Sequence, residues 1–189
     1  MKKFSNWKPE ELEPNKREKV AYSNDYMKVI DYEGWSLIKE KDLVVCIPYF
    51  IETNQFLIRQ EYIPTFKYDS GQEFHITVLS GGIESGEDAI MTLRRELEEE
   101  AGIILNDNYS NYESLKPLYM SKGNMSKYNP FILPISERDY KQVVPTTDGS
   151  KEEKKSKSAL LDVKYIDKLE VSDLITGYML FELKKYLNI

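Results

Sequence analysis

Apolar and polar positions alternate with a strand-like period through much of the first half of the chain. Residues 20–30, carrying Tyr26, Met27, Val29 and Ile30, read as a strand, and residues 37–51 contain the run Leu43, Val44, Val45, Cys46, Ile47 expected of a buried strand. Residues 55–60 and 73–79 read as two further strands, separated by a turn-prone segment with Pro64, Asp69, Ser70 and Gly71. The period then becomes helical. Ser85 with Asp88 three residues on gives a capping-box start, helix formers run to Ala101, and Gly102 is a natural stop. Residues 115–120 and 130–135 read as strands, with Pro130 and Pro134 pointing to a sheet edge or to strand ends. Residues 159–166 suggest a last strand, and residues 171–187 a C-terminal amphipathic helix with Leu174, Met179, Phe181, Leu183 and Leu187 available for packing. Strands dominate, with helices outside a mixed sheet, which is an α/β arrangement.

Two stretches fall outside this pattern. Residues 1–20 are polar and read as a loosely held extension ahead of one domain over residues 21–189. Residues 145–158, PTTDGSKEEKKSKS, are charged and poor in apolar side chains, the composition of a mobile surface loop. A chain of 189 residues can bury a core without disulfides, and its single cysteine, Cys46, could not form one internally. No apolar run matches a signal peptide or a bilayer span, so a soluble, cytoplasmic protein is expected. Thirty-two Asp and Glu against 26 Lys and Arg, a formal charge of −6, argue against a stable nucleic-acid partner, which needs clustered cations. They do not exclude a small phosphorylated ligand, because acidic side chains can recruit divalent ions that meet the phosphates. Where the acids sit therefore matters more than how many there are.

The informative segment is residues 81–103, GGIESGEDAIMTLRRELEEEAGI. At about 100° per residue, Glu96, Glu99 and Glu100 share one arc of the helix, and Glu98 points nearly the opposite way. Ile90, Leu93, Leu97 and Ala101 occupy the adjoining arc and would bury against a sheet, holding the carboxylates at its edge. Like charges at this spacing repel, and a divalent cation removes the repulsion. Oxygen-only donors select Mg²⁺ or Mn²⁺ over zinc, and no Cys or His cluster competes. Arg95 flanks Glu99 and could hold a carboxylate in its ligating rotamer. A run such as Glu98, Glu99, Glu100 taken alone is most often a solvated helix face. The wider spacing overturns that reading.

The segment resembles the box of the Nudix hydrolase family: G, five residues, E, seven residues, then R-E-apolar-x-E-E-x-G-apolar. Gly81, Glu87, Arg95, Glu96, Leu97, Glu99, Glu100, Gly102 and Ile103 fill every position. The resemblance implies a Nudix-type α/β/α sandwich with a mixed β-sheet, a loop-helix-loop box and a C-terminal helix. It implies Mg²⁺- or Mn²⁺-dependent cleavage of a nucleoside diphosphate linked to another moiety. Carried over by position, Glu96 and Glu100 are the main metal ligands, Glu99 a further one, and Ser80 gives its backbone carbonyl; Glu99, Glu100 and Arg95 belong to the catalytic set, and Glu87 and Arg95 brace the loop. The glycines Gly81, Gly82 and Gly86 let the backbone turn tightly beside the metals.

Beyond the box, the chain is most similar to the ADP-ribose pyrophosphatase branch, from about Tyr26 to the C-terminus. An R-Q pair at Arg59 and Gln60, a glycine loop at residues 121–126, an acidic loop before the last strand and a closing helix carry that similarity. The branch implies a homodimer, substrate binding by Arg59, and an aromatic residue stacked on adenine, for which Trp35 and Tyr26 are candidates. Thr77, Val78, Leu79 and Ser80 replace the branch's usual E-(L/F)-P-A before the box glycine, Tyr62 stands near where an arginine is common, and Lys122 replaces a proline. These changes leave the box chemistry intact and bear on the substrate. The general base of the branch comes from a loop glutamate, which places Glu152 and Glu153 in that role, with Glu137 in reserve, while Lys151, Lys154 and Lys155 could attract phosphates. His75, the only histidine, and Cys46, in an apolar strand, read as structural.

The expected function is hydrolysis of the pyrophosphate bond of ADP-ribose or a related sugar nucleotide. The alternatives are a nucleoside triphosphate, dinucleotide or cap pyrophosphohydrolase of the same fold, and a non-catalytic Nudix domain that senses a ligand. A silent domain usually has a broken box, and this one is whole.

Overall fold

The computed structural model describes residues 19–146 and 155–189. Strands β1 (Lys19–Ser23), β2 (Lys28–Tyr32) and β3 (Trp35–Lys39) form an antiparallel meander, and β4 (Leu43–Phe50) and β5 (Gln55–Tyr62) lead into a short helix, α1 (Pro64–Ser70). Strands β6 (Phe74–Thr77) and β7 (Leu79–Gly82) precede the long helix α2 (Ala89–Ala101). There follow β8 (Ile103–Leu105), β9 (Glu113–Ser114), β10 (Leu118–Ser121), β11 (Asn124–Ile135), β12 (Tyr140–Gln142), β13 (Lys157–Asp162) and the C-terminal helix α3 (Leu174–Leu187). Among the described residues, no helix is long and apolar enough to cross a membrane.

The apolar run in β4 becomes the centre of a mixed sheet. One edge of β4 runs parallel to β11, from Leu43 beside Tyr128 to Phe50 beside Ile135. Its other edge is shared: residues 43–46 pair antiparallel with β7, and Tyr49 and Phe50 with β5. The chain therefore changes partner at Val78, from β5 along β6 to β4 along β7. Val78 N–H is left without a strand carbonyl at that switch, and the fully buried Thr176 hydroxyl on α3 accepts it at 3.2 Å. Partner switching carries Ser80 and Gly81 from the sheet's outer part to its centre.

Alternation along β4 divides the core into two layers. Val44, Cys46 and Phe50 face Leu93, Leu97 and Ala101 of α2, whereas Val45 and Ile47 face Met179, Leu180 and Leu183 of α3. Both helices start on an aspartate: Asp88 accepts from the N–H groups of Ile90 and Met91, and Asp173 from that of Thr176. The α/β/α sandwich is the architecture expected. Burial raises the Cys46 thiol pKa well above its ordinary value, as suits packing rather than nucleophilic chemistry.

Several local expectations are corrected. Residues 20–30 form parts of two strands, because Asn24 folds a tight turn by accepting from the N–H groups of Tyr26 and Met27. The turn-prone segment after β5 is helical: Pro64 sits in the first turn, where its missing N–H costs nothing, and Gly71 closes the end on the Lys67 carbonyl. The N-cap of α2 is Asp88, not Ser85. Strand β11 lies inside the sheet, not at an edge. Its prolines are tolerated because the Pro130 carbonyl accepts from Leu115 N–H and the Pro134 carbonyl from the Tyr109 hydroxyl. In an extended strand a residue's N–H and C=O point to the same side. The two missing donors thus fall on the edge away from β4. On α3, Leu174 and Phe181 are exposed, while Met179 and Leu183 are completely buried.

Candidate active site

The residues of the box meet where β7 ends beside the last turns of α2. Antiparallel pairing sets Ser80 against Val45 and Gly81 against Val44, so this stretch cannot slide. Gly81 is required by close approach: a Cβ there would overlap the Glu96 carboxylate. At the far end of the helix Gly102 is left-handed, with φ of 65°, and a Cβ would run into the Val143 carbonyl oxygen. The closing carbonyls are satisfied by side chains: Ser158 Oγ donates to the Glu100 carbonyl at 2.9 Å and Gln142 Nε2 to that of Ala101 at 2.9 Å.

Arg95 is the hub. Its guanidinium takes both oxygens of Glu87, with Nε–Oε1 of 2.9 Å and Nη2–Oε2 of 3.2 Å. Nη1 reaches Glu96 Oε1 at 2.6 Å and Glu99 Oε2 at 3.0 Å, and Nη2 also donates to the Gly82 carbonyl at 3.0 Å. One planar fork thus joins the loop to two carboxylates of the helix. The Arg95 hydrogen bonds, followed by one from Thr92 Oγ1, pull the Glu87 pKa down to about 2. Those same bonds, donated to Glu87, raise the guanidinium pKa further.

The third carboxylate has its own brace. Arg59, on β5 and 4% exposed, places Nη2 3.1 Å from Oε1 of Glu100, which is 6% exposed at its side chain. Nη1 of Arg59 lies 3.4 Å from the Glu100 carbonyl oxygen. An ion pair so far from water costs desolvation and persists only where geometry compensates. Arg59, expected to bind substrate, is directed at Glu100.

These elements enclose a cleft of about 530 Å³ lined by Ser80, Gly81, Glu96, Glu99, Glu100 and Arg95, with Lys41, Glu61, Gly82 and Glu84 completing the wall. Five carboxylates face two cations across it. Among the described residues, no three acidic or imidazole groups converge as they stand into a metal-holding set, because α2's carboxylates are turned onto Arg95 and Arg59. The donor chemistry still fits a hard divalent ion: carboxylate and carbonyl oxygens, two of the carboxylates buried, and a glycine that leaves room for one of them.

Trp35 and Tyr26 stand on the β1–β3 meander, 67% and 81% exposed, and do not line this cleft. Glu137 is exposed in a single 3₁₀ turn and lies outside it as well. Glu152 and Glu153, with Lys151 and Lys154, lie outside the described residues, as does nearly all of the polar extension at residues 1–20. His75 packs its ring on Phe66, with centroids 3.7 Å apart. Sequence reasoning missed Lys41, Glu61 and Glu84. Glu61 was legible in principle, since period-two alternation along β5 puts it on the face of Arg59.

The NUDIX domain family model matches residues 41–174. The chain belongs to the NUDIX family. No curated protein matches the chain. Among solved structures, this Nudix chain is similar to the crystal structure of an ADP compounds hydrolase, with a TM-score of 0.61 over 90% of this chain and 91% of the other. At 17% identity that likeness speaks for the fold. With the box unbroken and its arginine in place, the protein is a Nudix hydrolase.

Proposed function

We propose that the protein hydrolyses, with Mg²⁺ or Mn²⁺, the pyrophosphate bond of a nucleoside diphosphate linked to another moiety, with ADP-ribose or a related sugar nucleotide as substrate. One observation carries this reading: the cleft formed by the box offers five carboxylates and two cations, all with oxygen or guanidinium and ammonium chemistry and none with sulfur. A diphosphate cannot enter such a wall without added positive charge. Glu96, Glu99, Glu100 and the Ser80 carbonyl would hold the ion, with Arg95 and Arg59 fixing where the carboxylates stand. When bound, a divalent ion supplies charge neutralisation at the diphosphate and a lowered pKa for a coordinated water. The relative solved as an ADP compounds hydrolase supports an adenosine diphosphate moiety, within the limits of a shared fold.

Trp35 and Tyr26 are assigned to adenine stacking in a homodimer. Their exposure and their absence from their own protomer's cleft support that assignment. Light scattering tests it by mass.

The deciding experiment is a panel of ADP-ribose, sugar nucleotides, dinucleoside polyphosphates and nucleoside triphosphates, each incubated with Mg²⁺, with Mn²⁺ and with chelator. Metal-dependent release of AMP and ribose 5-phosphate, or the equivalent pair of monophosphates, is expected, with Glu100→Gln inactive. Absence of metal-dependent turnover across the panel, or full activity in Glu100→Gln, overturns the reading.

A further inference from the structure

The carboxylates of the cleft are not equivalent. Glu84 is paired with Lys41 at 2.7 Å, Glu96 and Glu99 with Arg95, and Glu100 with Arg59. Glu61, among the described residues, is held by no cation. Its Oε2 accepts a hydrogen bond of 2.9 Å from Thr77 Oγ1, a neutral donor that orients the carboxylate without offsetting its charge. A carboxylate has about four lone-pair sites, so this single bond leaves capacity for another hydrogen.

Its position is equally particular. Glu61 stands on β5, a strand paired with β6 on one side and β13 on the other, so its backbone is fixed by ladders rather than carried on a loop. Arg59, two residues earlier on the same face, grips Glu100, and Glu61 lines the cleft that Glu96, Glu99 and Glu100 line from α2. The charged and titratable groups around it are Arg59 on its own strand, His75 as its register partner on β6, Lys41 and Glu84 at the cleft wall, and Arg95 with α2's three carboxylates.

Resting on the function proposed above, we infer that Glu61 is the general base of the reaction. A group fit for that role must lie beside the metal-ligating carboxylates, be rigidly placed, and not have its charge matched by a cation. In the step it serves, the oxygen of a water forms a new bond to one phosphorus. The bond from that phosphorus to the bridging oxygen breaks, its electron pair leaving with the departing phosphate. One proton of the water passes to Glu61 and then to solvent, and the second is lost from the newly formed monophosphate at neutral pH.

The test uses the full chain and the best substrate of the panel. Glu61→Gln keeps the shape and the Thr77 hydrogen bond while removing the proton acceptor. It is expected to lower kcat by about a hundredfold or more with KM within about twofold. Mn²⁺ affinity, followed by the spectrum of the free ion in electron paramagnetic resonance, should stay within about twofold, because the α2 ligands are intact. The acid limb of the wild-type kcat profile should give way in Glu61→Gln to a continuous rise of about tenfold per pH unit as hydroxide replaces the assisted water. A variant that keeps more than about a third of kcat, keeps the wild-type acid limb, or loses about tenfold or more in Mn²⁺ affinity overturns the assignment. An inactive wild type removes the functional reading and the base together. An active wild type with an equally active Glu61→Gln removes the base alone.

Discussion

Helices α2 and α3 cover opposite faces of one sheet, start on an aspartate N-cap and close in a left-handed residue, yet they bury different chemistry. Toward the sheet α3 turns Met179, Leu180 and Leu183, with one hydroxyl, Thr176, spent on an orphaned strand N–H. Helix α2 buries Leu93, Leu97 and Ala101 together with Glu96 and Glu100. Each apolar side chain fully buried contributes about 1.5–3 kcal/mol, whereas a buried carboxylate costs desolvation that its guanidinium partner offsets only in part. The same scaffold therefore serves stability on one face and chemistry on the other. What separates the two helices is the placing of glutamates at i, i+3 and i+4 beside the apolar arc, next to a strand switch that delivers a glycine.

The contrast breaks most visibly in Glu96→Gln. Loss of the charge of a proposed metal ligand is expected to lower kcat by about a thousandfold, equivalent to about 4 kcal/mol. Stability in urea should change by under about 1 kcal/mol, since Arg95 keeps Glu87, Glu99 and the Gly82 carbonyl. Leu183→Ala on the opposite face should do the reverse. A completely buried leucine lost from a packed layer costs about 3 kcal/mol by the same denaturant measurement. Turnover per folded molecule should stay within about twofold, because α3 contributes nothing to the cleft wall. If Glu96→Gln destabilises as much as Leu183→Ala, the division of labour is wrong.

Arg95→Lys sharpens the comparison within α2. An ammonium carries the charge but cannot present the fork that takes Glu87 through two nitrogens while reaching Glu96 and Glu99. A loss of about 10–100-fold in kcat/KM is expected, with weaker Mn²⁺ binding, the signature of a group that positions ligands. Unchanged Mn²⁺ affinity would make Arg95 a structural clamp alone.

These differences were unequally legible. The chemistry of α2 could be read because fixed spacing turns into fixed direction on a helix, and nine box positions coincide with known ones. On α3 the apolar residues were visible but not their orientation, so Leu174 and Phe181, both exposed, looked no different from Met179. Helix α1 was hidden because proline and glycine mark turns and helix ends alike. The interior place of β11 was hidden because proline's usual edge preference holds only for a donor the ladder needs, and both of its prolines face the segment from Tyr109 to Leu115 rather than β4. Arg59 showed as one of a pair of residues, but its buried grip on Glu100 depends on β5 lying beside the end of α2, a tertiary fact.

The smallest effect concerns pH and isolates the bracing arm of α2 from its other carboxylates. Glu87 has its pKa lowered from 4.5 to about 2, by the Arg95 hydrogen bonds first and the Thr92 hydroxyl next. A carboxyl whose pKa is lower folded than unfolded binds fewer protons when folded, so acid favours unfolding. Its contribution is fully present above the unfolded value near 4.5 and is lost as pH falls through the folded value near 2. In Glu87→Gln that carboxylate is absent at every pH. The stability difference between wild type and variant, from urea titrations, should therefore be constant at neutral pH and shrink as the pH drops from 4.5 toward 2. A difference that stays flat across that window would mean that Arg95 holds the loop through Gly82 and the helix carboxylates, with Glu87 contributing shape rather than charge.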